Sequence, residues 1–326
     1  MKKVYTFLIL LFCVQAAFAQ KTLKYNNDGK FKIVQFTDIH YKSDHEAAKS
    51  SIEMIKEVLA TEKPDFIALT GDIVTMKPAF QGWDEVLAPI IESKIPWAVV
   101  FGNHDDEYDK TRAEIMEYVT KKANCLAERG PENIKGVGNY VIEVVDGNGK
   151  KHLLYFMDSN TYSTIEGIGG YGWFGFDQIE WYRNKSKAYT AANNGKPLPA
   201  LAFFHIPLNE YTDMSLARKK MVGMRNEKEC PGAINSGMYT AMKECGDVVG
   251  TFVGHDHDND YIGNYNGIYL AYGRFSGSKT TYTHMMNGAR IIEITAGEPD
   301  FKTWIRLKGD QTINTVNTAE FLPKNK

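Results

Sequence analysis

From residue 31 onward, short unbroken apolar runs take turns with stretches whose apolar residues recur every three or four positions. Residues 31–37, 65–70 and 97–101 are runs of the first kind, rich in β-branched and aromatic side chains, and each predicts a strand. Between the first two, residues 46–61 carry apolar groups at Ala48, Ile52, Ile55 and Leu59, which is helical spacing. Residues 83–92 and 111–128 read as the helices that follow the second and third strands. Strand and helix thus alternate three times, an order that implies parallel strands joined by crossover helices.

Beyond residue 140 the pattern turns strand-rich. Residues 140–145 and 153–157 flank Asp146-Gly147-Asn148-Gly149, whose composition suits a hairpin turn. Residues 177–192 and 236–244 have helical character, and residues 201–204 and 248–253 are strands. Residues 268–271, 289–295 and 301–306 read as closing antiparallel strands. This order predicts an α/β fold in which two packed mixed β-sheets are flanked by helices. No repeat, low-complexity tract or linker interrupts residues 21–320, so a single domain over residues 20–326 is expected.

Residues 1–19 have the make-up of a secretory signal peptide: Lys2 and Lys3, an apolar run over residues 4–14, then Ala17-Phe18-Ala19 before a cut at Gln20. The run is shorter than the roughly 20 residues that span a bilayer, and no later segment is apolar enough, so the mature chain is expected to be exported, periplasmic or secreted, without a membrane span. The formal net charge of −2 carries no basic block, so no nucleic-acid-binding surface is expected. Past the leader the cysteines are Cys125, Cys230 and Cys245, and export favours a Cys230–Cys245 disulfide that leaves Cys125 free. There is no CxxC pair to hold a metal or a dithiol redox site.

Five polar blocks then change the picture. They are Asp38-Ile39-His40, Gly71-Asp72, Gly102-Asn103-His104-Asp105, His205 and Gly254-His255-Asp256-His257. Each block has an ordinary reading by itself: Gly-Asp is turn chemistry, Asn-His-Asp can cap a helix, and a single histidine often sits in a core. Each nevertheless follows a predicted strand, and in open α/β sheets the carboxyl ends of strands carry the ligand site. Carboxylates, an amide and imidazoles gathered on one rim form a donor set for paired divalent cations. Five of the eight histidines fall inside the pattern, and His45, His152 and His284 are left as surface or core residues.

In this order, D-x-H, G-D, G-N-H-D, a single His and G-H-x-H resemble the motifs of the calcineurin-like metallophosphoesterases, including the purple acid phosphatase branch. The resemblance implies a dinuclear-metal hydrolase acting on phosphate mono- or diesters by attack of a metal-bound hydroxide. It places Asp38, His40, Asp72 and His257 around one ion and Asp72, Asn103, His205 and His255 around the other, with Asp72 bridging. Mn, Zn and Fe are all compatible with these ligands. His104 would face the leaving-group oxygen, with Asp105 orienting its ring. Purple relatives carry a tyrosine three residues after the bridging aspartate, where this chain has Thr75, so a coloured ferric centre is not expected. Tyr171-Gly172-Trp173 with Gln178 and Trp181 looks like the segment that purple-like relatives carry before the single histidine.

Arg274 and Tyr162 are candidate substrate contacts, and Asn160 a further residue of the cleft. Arg274 has an equal claim to a structural salt bridge. Residues 166–177 hold five glycines and read as a lip over the metals or an ordinary irregular loop, without the Gly-Lys-Ser/Thr ending of a phosphate-cradling P-loop. Nucleotide, phospholipid and phosphoprotein substrates stay open. The alternative is a non-catalytic metal-binding scaffold of the same fold, whereas a peptidase would need the His-Glu-x-x-His motif that is missing.

Overall fold

The structure, a computed structural model, describes residues 21–321, so the expected leader lies outside the described residues. Strands and helices run β1 (Thr22–Lys24), β2 (Lys30–Phe36), α1 (Ala48–Glu62), β3 (Phe66–Thr70), α2 (Ala79–Glu92), β4 (Trp97–Val100), α3 (Arg112–Val119). Next come β5 (Tyr140–Val145), β6 (Lys151–Phe156), α4 (Phe176–Ala192), β7 (Ala200–Phe203), α5 (Asn209–Leu216), β8 (Met221–Val222) and α6 (Met238–Cys245). The chain closes with β9 (Val248–Val253), β10 (Ile262–Tyr265), β11 (Ile268–Tyr272), β12 (Gly288–Thr295), β13 (Phe301–Leu307), β14 (Gln311–Asn317) and α7 (Thr318–Phe321).

These strands build two mixed sheets with helices outside, as the alternation of periods implied. One has six strands in the order β14-β13-β12-β2-β3-β4, and the other eight in the order β1-β5-β6-β7-β9-β11-β10-β8. In the first, β2, β3 and β4 are mutually parallel. In the second, β6, β7, β9 and β11 are mutually parallel. The strand period of two decides where each side chain goes. On β6, Leu154 and Phe156 join the larger core, which also holds the residues of β2, β3 and β4, while Leu153 and Tyr155 join a second core with α4, α5 and α6. Phe156, Phe203 and Phe252 stack across three neighbouring strands with centroids 5.0 and 5.4 Å apart.

Several expectations are corrected. Ile268–Tyr272 is antiparallel only to β10 and lies parallel to β9 inside the eight-stranded sheet, so it does not join β12, β13 and β14, which close the other sheet in antiparallel fashion. Helix α3 stops at Val119 rather than near residue 128. There the chain turns through Asn124 at φ 60° and runs beside β4, with Trp97 N–H donating to Asn124 O and Leu126 N–H to Trp97 O. The edge of β4 needs partners, and this segment supplies them. Cys230 and Cys245 do not pair: all three described cysteines are free thiols. No described helix is long and apolar enough to cross a membrane.

Candidate metal centre

Three of the five blocks leave their strands through left-handed backbone. Asp38, His40, Asp72 and His255 have φ of 54°, 44°, 53° and 82°, and Gly71 has φ 90°. Left-handed non-glycine residues cost on the order of 1–3 kcal/mol each, so the surroundings must impose them. Hydrogen bonding that continues beyond the strands does so: Asp38 N–H donates to Gly71 O, His40 N–H to Asp72 O and Tyr41 N–H to Ile73 O. Close approach explains the glycines. A Cβ on Gly102 would strike the Asp72 carboxylate, and one on Gly254 would strike Thr37 Oγ1 and Asp38 Oδ2.

The ligand side chains converge as two buried groups, Asp38 with His40 and His257, and Asp72 with His205 and His255, each able to bring its donor atoms within 4.8 Å of one another. Asp72 Oδ2 lies 3.6 Å from His40 Nε2 and 3.1 Å from His205 Nε2, so it faces both groups. Its other oxygen, Oδ1, is held by the backbone N–H of His104 at 2.8 Å. Asp38 accepts the His255 N–H at 3.0 and 3.1 Å.

Whether these residues suit cations is answered by their unmatched atoms. His205 Nε2, His255 Nε2 and Asn103 Oδ1 are buried without a hydrogen-bond partner, although such atoms are nearly always paired. The 3.1 Å approach of His205 Nε2 to Asp72 is close but outside hydrogen-bonding geometry. Backbone carbonyls take the opposite ring nitrogens: Thr70 O faces His205 Nδ1 and Tyr282 O faces His257 Nδ1, both at 2.8 Å. Each ring thereby turns Nε2 inward toward the ligand cluster. His40 Nε2 and His257 Nε2 sit 3.1 Å apart, which two imidazoles aimed at one cation would do.

Burial dominates the electrostatics. It pushes the His40 and His255 imidazoles well below the ordinary range and raises Asp38. Burial would also lower His205 and raise Asp72, yet their mutual attraction prevails, moving His205 up to about 9 and holding Asp72 well down. The neutral imidazoles of His40 and His255 and the ionised carboxylate of Asp72 are thereby in the states that bind metal.

The expected role of Asp105 is corrected. Its carboxylate is buried and accepts the backbone N–H groups of Asp72, Ile73 and Gly102 at 2.9, 2.8 and 2.7 Å, and it is the loop carrying Asp72, not the His104 ring, that it orients. The His104 ring is instead held by Glu107, whose Oε2 is 2.6 Å from Nδ1. Glu107 escaped the sequence reading, although its spacing of three residues from His104 was a usable signal. Tyr162 does lie at the site: its hydroxyl donates to Glu107 Oε1 at 2.8 Å and accepts from Asn103 Nδ2 at 3.3 Å. Tyr171 sets its edge against His255 with centroids 4.2 Å apart, and Tyr282 stacks on His257 at 4.3 Å.

Arg274 is not presented to the cleft. Its guanidinium is buried, 2.6 Å from Asp260 Oδ2, and donates to Met286 O, so it is a structural ion pair. Asn160 is likewise committed inward, donating to Trp173 O and Gln178 Oε1. Of the remaining histidines, His152 is buried, and His284 pairs with Asp258 at the surface.

The calcineurin-like phosphoesterase family profile matches residues 31–259 of this chain. The chain is 33% identical to "Probable inactive purple acid phosphatase 14" of Arabidopsis thaliana, over 94% of its own length and 88% of that protein. It is 34% identical to "Phosphatase DCR2" of Saccharomyces cerevisiae, over 88% of its own length and 55% of that protein. Among solved structures, a dimetal phosphatase from Danio rerio superposes with a TM-score of 0.59 at 15% identity, covering 87% of this chain and 98% of that one.

Proposed function

This chain belongs to the calcineurin-like phosphoesterases, and from that premise we propose that it is a working dinuclear-metal enzyme hydrolysing phosphate mono- or diesters. The observation that carries the reading is the convergence of orphaned donors, His205 Nε2, His255 Nε2 and Asn103 Oδ1, around the shared carboxylate of Asp72. Asp38, His40, Asp72 and His257 would hold one cation, and Asp72, Asn103, His205 and His255 the other. Two such ions, of Mn, Zn or Fe, supply Lewis-acid chemistry: they clamp phosphoryl oxygens and make water acidic enough to attack. The protein's own part is to bring His104 to the leaving-group oxygen with Nδ1–H committed to Glu107, so that Nε2 is the nitrogen facing the ester and the doubly protonated ring gives up its Nε2 proton there. Export to the periplasm or medium is part of the proposal, on the strength of the leader pattern in residues 1–19.

The Arabidopsis relative's name contains the word inactive, which favours a second reading as a metal-binding scaffold. Against it stands the filling of all seven ligand positions and of the His104 position in this chain. Phosphate release from monoester and diester panels, measured on metal-quantified protein, separates the two. Chelation should abolish turnover, Mn or Zn should restore it, and His104→Ala should reduce it at least ~100-fold with metal content intact. Two bound ions per chain without turnover on any ester would hand the case to the scaffold.

A further inference from the structure

The groups around His104 form a closed circuit that the metal chemistry does not require. Its backbone N–H is clamped to Asp72 Oδ1, and its ring Nδ1 to Glu107 Oε2 at 2.6 Å. Glu107 Oε1 takes the Tyr162 hydroxyl at 2.8 Å, and that hydroxyl receives Asn103 Nδ2 at 3.3 Å. The circuit therefore returns to a ligand residue whose Oδ1 stays free. Tyr162 stands on a built platform: it bridges Tyr171, with Ser163 N–H donating to Gly170 O and Gly172 N–H to Thr161 O. Part of the glycine-rich segment is thus pinned beneath it.

Folding stability does not account for Glu107. The His104–Glu107 pair is more than a third exposed on both sides, and such pairs contribute little. We propose that Glu107, backed by Tyr162, is a positioning residue that fixes the His104 ring so that Nε2 meets the leaving-group oxygen. The step balances: the ring starts doubly protonated, a hydroxide oxygen bonds to phosphorus as the ester P–O bond breaks, and the electron pair of that bond goes to the leaving oxygen, which takes the Nε2 proton. The ring remains bonded to Glu107 through Nδ1–H. Tyr162 holds the carboxylate of Glu107 in plane and turns the Asn103 amide so that its oxygen points inward.

The activity arm rests on the proposed phosphoesterase reading, and a structural arm does not. Long-range proton–nitrogen correlation spectra of zinc-loaded protein, at a pH where the ring is neutral, should show His104 protonated on Nδ1. In Glu107→Ala the ring should revert to the Nε2–H form, and Glu107→Gln, which keeps an acceptor oxygen, should retain Nδ1–H. In turnover, Glu107→Ala should lower kcat on an alkyl phosphate at least ~10-fold more than on p-nitrophenyl phosphate, whose leaving group needs no proton. KM and metal content should hold, and Glu107→Gln should recover most of the loss. An Nε2–H ring in the wild type, or equal losses on both substrates, would overturn the positioning role. An Nδ1–H ring in a protein that cleaves neither ester would leave it standing and sink the enzymatic reading instead.

Discussion

Replacing Asp105 by asparagine separates two roles that look alike in a motif. The native carboxylate takes four buried N–H groups: Oδ2 serves Asp72 and Gly102, and Oδ1 serves Ile73 and, at 3.4 Å, Val74. An amide keeps one oxygen. Its better orientation retains Asp72 and Gly102 and turns an NH2 group against the Ile73 N–H, and the surviving bonds lose their charge. At ~1–3 kcal/mol for a buried donor left unpaired, plus a weakening of the charge-assisted bonds, the loss should be about 2–4 kcal/mol. Asp72 rides on this loop, so its carboxylate should shift and cation affinity should fall. Urea unfolding should show a lower midpoint at unchanged slope, and ion content at limiting zinc should drop below that of wild type. Unchanged stability and ion content, combined with a selective loss on alkyl phosphates, would show that Asp105 acts on the His104 ring and that the backbone-staple argument is wrong.

Three further outcomes can be checked. Arg274→Met should destabilise by roughly 3 kcal/mol, because it strands the buried Asp260 carboxylate, while KM of the folded enzyme stays put; a raised KM at normal stability would return Arg274 to the substrate. Gly254→Ala should cost about 1–3 kcal/mol and lower occupancy of the Asp38 site, since its Cβ would enter the space of Thr37 and Asp38; wild-type ion content would refute the close-packing account. Burial pushes the His152 imidazole down to about 4. Below the ordinary histidine pKa the unfolded chain binds a proton that the folded chain refuses, so stability should fall as pH drops from about 6.5 to about 4, by about 3 kcal/mol in all. Unfolding of His152→Leu should show a correspondingly shallower pH slope, and an unaltered slope would exclude His152 as the cause.

Much of the architecture was legible because it is local. The apolar runs that became β2, β3, β4, β7 and β9 are short, buried on both faces and rich in strand-forming side chains, and the polar residues that end them lie directly behind. That adjacency by itself puts Asp38, Asp72, Asn103, His205 and His255 on a common rim. The segment of β10 has mixed polarity, β14 is exposed over much of its length and α5 is short, so none of the three announces itself by period. The fate of β11 was illegible for another reason, since an apolar strand pairs equally well in either direction until its neighbours are known.

Sequence alone determined which donors this protein owns and at which strand ends they stand, because strand period and composition are properties of consecutive residues. Tertiary structure decided what those donors face. Left-handed turns at Asp38, His40, Asp72 and His255 break the simple alternation of side chains, so direction cannot be counted off along the chain. Segments apart in the chain then settle the partners: Asp105 goes to the Asp72 loop, Tyr162 goes to Glu107 and Asn103, and Arg274 goes to Asp260. A buried polar group takes whichever complementary atom packing brings within reach, and that choice is made between elements that lie far apart in the sequence.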